Sequence, residues 1–151
     1  MKFEQTNDLI DHAKSFHQLI GEYYQSLKQK TENPRLKMLL DYLIEHERNL
    51  QDRLAEYSVN APNKVMKTWF QFATCDERFH QLKSTLGAEE VSAEDVIVKT
   101  ICLYDCIIQN FEDLAKNAEI DEIRDVFQSI AAMERKEQRK IVRNSRMLDD
   151  L

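Results

Sequence analysis

Leu9, Ala13, Phe16, Ile20, Tyr23 and Leu27 recur at alternating steps of four and three. That spacing lines up one face of a helix as a packed seam, and a strand with its period of two cannot reproduce it. The same rhythm returns in Leu36, Leu40, Leu43, Glu47, Leu50, Leu54 and Tyr57, then in Ile97, Ile101, Tyr104, Ile108, Phe111 and Ala115, and last in Ile120, Ile123, Phe127, Ile130, Glu134, Glu137 and Ile141. Four amphipathic helices follow. The first is expected to start near Thr6 or Asn7 and run to about Lys30. Asn33-Pro34 reads as a cap followed by proline in the first turn, so the second helix begins after a tight reversal. Ser92 with Asp95 three residues on opens the third, which extends to about Lys116, and a short connection over Asn117–Glu119 leads into the fourth.

Residues 58–92 break the rhythm. SVNAPN is loop-like, KVMKTWFQFATCDERFHQLKSTL suits one or two short amphipathic helices, and GAEEVS is a second loop. A connection of this length can carry the chain from one end of a bundle to the other, so the two hairpins are expected to be joined by a long helical crossover between the second and third core helices. The whole of 1–151 then reads as one all-α domain, an antiparallel four-helix bundle. Val65, Met66, Trp69, Phe70, Phe79 and Leu82 in the crossover are expected to cover a bundle face, with a dimer contact as the other use for them.

Composition narrows the function classes. Two glycines and two prolines in 151 residues suit a few long helices better than a turn-rich β fold. A net charge of -6 argues against nucleic acid or an anionic membrane as the main partner. MKFEQTND lacks the apolar stretch of a signal peptide, so the expected address is cytoplasmic. Cys75, Cys102 and Cys106 form an odd set without a CxxC pair, which fits reduced thiols. Glycine-rich phosphate loops and a nucleophile elbow are absent, leaving phosphoryl transfer and triad hydrolysis without a foothold.

Glutamates at seam positions need a physical account, because a lone buried carboxylate is costly unless paired, protonated or bound to a cation. Counting from the first turn near residue 32, His17 lies fifteen residues back and Glu47 fifteen forward. From the second turn near residue 118, Asp105 lies thirteen back and Glu134 sixteen forward. Antiparallel helices rise equally per residue, so all four are expected to share one layer. Carboxylates and an imidazole are ligand types that iron, manganese or zinc accept. The other reading of the same residues is structural: Glu47 and Glu134 pair with His17, or with Arg48 and Arg135, as a polar layer that fixes helix register.

The layout, together with the runs LIEHERNL, AMERKEQRK, AKSFHQLIGEYY and ICLYDCIIQNF, resembles the ferritin-like superfamily, in particular its rubrerythrin-like branch. The resemblance implies a di-metal bundle in which two helices each supply Glu and the other two each supply Glu-x-x-His. It places Glu47 and Glu134 in the Glu slots of the second and fourth helices, Leu50 and Glu137 in the His slots, and His17 and Asp105 where the first and third helices carry Glu. The implied metal set is therefore His17, Glu47, Asp105, Glu134 and Glu137, an altered or vestigial version of the family site.

Several residues sit beside this constellation. Glu137 lies in the charge-dense ERKEQRK, where a helix emerging into solvent explains it, and His12 and His46 lie off the seam and are expected to be exposed, with His46, beside Glu47, moving inward if the helix rotates slightly. Cys102 and Cys106 share a helix face and with His17 would form a zinc-like set, although buried cysteine usually acts as a small hydrophobe. Gly21 in mid-helix suggests close approach of another segment, with the crossover as the candidate. Arg135, Lys136, Arg139, Lys140, Arg143 and Arg146 suit an acidic partner, but the plainer reading is that they complement the dipole at a helix C-terminus. The functional readings are then a bundle with a transition metal at the mid-bundle site, or a non-catalytic interaction or regulatory bundle without metal that meets a partner or a second copy through its crossover or outer faces. A carboxylate acid/base enzyme, the third, needs a cleft reaching Glu134 and Glu137.

Overall fold

The computed structural model describes residues 2–57, 65–68, 75, 77, 79–81 and 91–149. Four long helices dominate: α1 Thr6–Lys30, α2 Pro34–Glu56, α3 Ala93–Asn117 and α4 Asp121–Asp149. Their ends are written in the chain. Asn33 accepts hydrogen bonds from the backbone amides of Arg35 and Leu36 on its side-chain oxygen, and Pro34 opens the first turn of α2 without a donor to satisfy. At α3, Ser92 Oγ accepts from the Asp95 amide and the Asp95 carboxylate accepts from the Ser92 amide, a closed capping box.

The helices pack as two hairpins, α1 on α2 and α3 on α4, around a shared core. Side-chain pairs fix their directions. Tyr24 of α1 meets Thr100 of α3 while His17, earlier in α1, lies edge-on to Tyr104, later in α3. Tyr42 of α2 meets Asn144 of α4 while His46 meets Glu137. Both pairs are therefore antiparallel, and α2 and α3 run the same way, so the chain between them has to travel back along the bundle.

The seams hold with a shift of phase in two helices. In α2, Leu36, Leu40, Leu43, Glu47, Leu50 and Leu54 are all buried, as the spacing requires. In α1 the buried ring at the C-terminal end is Tyr24, and Tyr23 lies at the core's edge. In α3, Val96 and Thr100 face inward and Ile97 flanks them. A straight helix has 3.6 residues per turn, so a strict seven-residue repeat drifts by about 20° per heptad and hands the inward position to a neighbour. Ile120, expected to start the fourth seam, is exposed because α4 begins one residue later.

Two readings of the crossover change. Val65–Thr68, expected within an amphipathic helix, forms strand β2 and pairs antiparallel with strand β1, Lys2–Gln5, with Lys2 opposite Thr68 and Gln5 opposite Val65. Val65 and Thr68 are β-branched, and the N-terminal segment supplies the ladder partner that a lone strand lacks. The three cysteines are not all reduced thiols: Cys75 and Cys106 are joined in a disulfide, their Cα atoms 5.9 Å apart, and Cys102 is free. The bond ties the crossover to α3. Cys75 and its helical neighbour Phe79 are buried, and Phe79 packs edge-on against Tyr23 at 5.7 Å, so this part of the crossover does cover the bundle. Trp69, Phe70 and Leu82 lie outside the described residues.

Among the described residues, the segment that Gly21 faces is α2. A Cβ added there would lie 3.6 Å from Glu47 Cβ, an ordinary contact.

Candidate functional site

Midway along the bundle, His17 is fully buried between two buried carboxylates. Its Nδ1 lies 2.6 Å from Glu47 Oε2, and its Nε2 lies 2.8 and 3.1 Å from the two oxygens of Glu134. The geometry follows from the chain. His17 and Glu47 stand at equal distance from the α1–α2 turn, and Glu134 projects inward one turn after Ile130. From α3 comes Tyr104, fully buried, which donates its hydroxyl proton to Glu47 Oε1 at 2.6 Å. Each of the four helices thus contributes one side chain to the layer.

Charge decides its character. Burial alone would strip the proton from His17, but the negative charges of Glu134 and Glu47 and their hydrogen bonds outweigh it and raise the pKa from 6.5 to about 10. The ring is an imidazolium donating from both nitrogens. Burial, followed by the charge of Glu47, also holds the Tyr104 phenol well above its usual range, so it stays protonated and acts as a donor.

A second, shallower group continues outward. Tyr104 Oη lies 3.3 Å from His46 Nδ1, His46 Nε2 lies 2.9 Å from Glu137 Oε2, and Glu137 also meets Arg53 and, at 3.4 Å, Lys140. Burial pushes Glu137 upward in pKa, but the charges of His46 and Arg53 prevail and hold it low. A continuous chain of polar contacts therefore runs Glu134, His17, Glu47, Tyr104, His46, Glu137, Arg53, from the centre to the rim of the α2–α4 groove.

Of the five residues expected as metal ligands, His17, Glu47 and Glu134 come together. Glu137 is buried, not solvated, and belongs to the outer group. Asp105 is not in the layer: it points to solvent and accepts from Gln138 Nε2 at 2.7 Å, because the inward position of that turn is taken by Tyr104. His46, expected to be exposed, is buried against Tyr42 and Tyr104. The signal for Tyr104 was its place in the α3 seam. The signal for His46 was Glu137, a carboxylate at an inward position that needed a cation. His12 is half-buried and His80 exposed.

The donor arrangement bears on metal. The nitrogens of an imidazole lie on opposite edges of its ring, so Glu47 and Glu134 approach His17 from opposite sides and do not converge with it on a single point. Leu50, in the second-helix His slot of the ferritin-like pattern, is buried apolar core. Among the described residues no group of three or more His, Cys, Asp or Glu is arranged to hold an ion. The chain matches no family model, no curated protein and no solved structure in the three comparisons made.

The raised pKa of His17 sets a pH dependence. A group charged more readily in the folded than in the unfolded state stabilises fully below its unfolded value, and that contribution disappears as pH rises through the folded value. Urea unfolding is expected to show stability falling between pH 6.5 and about 10. The stability difference from His17→Leu, measured at each pH, isolates this contribution and should shrink across the same window.

Proposed function

We propose that the chain is a ferritin-like helical bundle in which a protonated histidine stands where that architecture keeps a metal cation, and that it works as a non-catalytic scaffold. One observation carries the reading: both nitrogens of the fully buried His17 are engaged by carboxylates of two different helices, so the layer already holds a cation between its two carboxylates, with Tyr104 donating to one of them. The shared direction of α2 and α3, with a long connection between them, supports the ferritin-like part. An acid/base enzyme fits less well. The α2–α4 groove reaches Glu137, but Glu134 is fully enclosed behind His17.

The test is elemental analysis of protein purified without chelator, then titration with Fe(II), Mn(II) and Zn(II). Metal well below one equivalent is expected, with nitrogen-detected NMR showing both ring nitrogens of His17 protonated near pH 8. Near-stoichiometric metal that disappears in Glu47→Ala/Glu134→Ala overturns the proposal and restores a metal centre.

A further inference from the structure

The groove between α2 and α4 has a volume of about 270 Å³ and is lined on one side by Tyr42, His46 and Arg53 and on the other by Lys140, Arg143 and Asn144. Its charges do not balance. Arg53 and Lys140 share the single carboxylate of Glu137. Glu45, also on the lining, is shared with Arg48, which lies 3.3 Å away. Arg143 adds an exposed cation. Three lining cations against Glu45 and Glu137 leave a local surplus of about one positive charge, in a chain whose net charge is -6. The helix dipole explains basic residues at the end of α4, but not why α2 turns Arg53 into the same concavity.

We propose that this groove binds a small oxyanion, the chemistry shared by a phosphate monoester head and a short dicarboxylate. Guanidinium forks match the oxygens of either group, and an ammonium supplies a mobile point charge. The neutral wall offers further partners: Asn144 Nδ2 donates to Tyr42 Oη at 2.8 Å, a contact that leaves the tyrosine hydroxyl able to donate in turn. Volume restricts the ligand, since drug-sized molecules occupy pockets of roughly 300–1,000 Å³ and this one lies at the small end. Arg53 and Lys140 can reach a bound anion without abandoning Glu137, because both are partly exposed while Glu137 is held from below by His46. The inference does not rest on the metal-free reading of His17, because the groove uses none of the central triad.

The full chain is titrated at low ionic strength with inorganic phosphate and, separately, with succinate, following the His46 ring resonances and the heat of binding. Saturable binding of at least one is expected, and Lys140→Gln/Arg143→Gln should weaken it by about tenfold or more with little change in thermal midpoint. Phosphate alone points to a phosphoryl ligand and succinate alone to a dicarboxylate. Shifts that rise linearly and are matched by chloride at equal ionic strength overturn the proposal, as does affinity unchanged in the double variant.

Discussion

Replacing His17 with leucine is expected to lower the unfolding free energy by about 3–5 kcal/mol, the range for removing one partner of a buried ion pair. The loss comes from what stays behind. Glu47 and Glu134, both buried, would face a greasy interior with the intervening cation gone, and only Tyr104 would still donate to one of them. The two carboxylates are then left buried without a cation between them, which is the larger part of the cost. Urea denaturation at pH 6 and pH 9 checks this, with the deficit smaller at pH 9, where the contribution of the His17 charge is being lost. A second variant separates pairing from packing. Changing the whole layer, with His17→Leu, Glu47→Met, Glu134→Met and Tyr104→Phe together, removes every charge and donor at once. Replacing a buried ionic triad by apolar groups of similar volume is often neutral or stabilising, so this variant should recover most of the loss. If the single and the fourfold variants are equally destabilised, shape and not charge holds the layer.

The same contrast defines what a polar layer gives a bundle like this one. Leucine seams tolerate sliding by a turn, whereas His17 can satisfy Glu47 and Glu134 only at one register of α1 against α2 and α4. The fourfold variant is therefore expected to keep its stability while its hairpins dock less uniquely, a cost in specificity that charged or polar core groups are known to offset in coiled coils.

How much of this could be read from the chain depends on how local each signal is. The helices were legible because seam spacing, Asn33-Pro34 and the Ser92/Asp95 box are contained in short windows. The meeting of His17 with Glu47 was legible because a tight turn makes equal counts into equal heights, and Glu134 followed in the same way from the second turn. Asp105 failed by one residue. Height along a helix is fixed to about 1.5 Å per residue, but facing changes by about 100°, so a count from a turn places a residue at the right level and leaves its direction open. The seam had already assigned that direction to Tyr104. His46, expected outside unless the helix rotated, shows the same limit: it flanks the seam, and its burial depends on Tyr104 and Glu137, residues of two other helices. Pairings across the crossover left no trace in spacing. Nothing in the sequence ties Lys2–Gln5 to Val65–Thr68, because register between distant segments is a property of the folded chain.

Removing the Cys75–Cys106 bond is expected to be the other large effect. The two cysteines are separated by 31 residues, and closing a loop of that length lowers the entropy of the unfolded chain by an amount worth about 3–4 kcal/mol in the chain-entropy model. The bond fastens a crossover that otherwise holds to the bundle through contacts such as Phe79 on Tyr23, so its loss should be felt there first. Asn110, buried on α3, donates to Cys75 Sγ at 3.0 Å and would lose its partner if the crossover lifted, adding an unsatisfied amide to the cost. Cys75→Ser and treatment of the unaltered chain with a dithiol reductant should give the same fall in urea midpoint, and reductant should do nothing further to the variant. Limited proteolysis locates the effect. Cleavage in the reduced protein is expected between residues 58 and 92, while α1 and α2 stay intact, because their seam is built without the crossover. An intact mass that is unchanged by alkylation under denaturing conditions, except at Cys102, confirms that the bond is formed; alkylation at all three cysteines before reduction shows that it is not, and then neither treatment should move the midpoint by this amount.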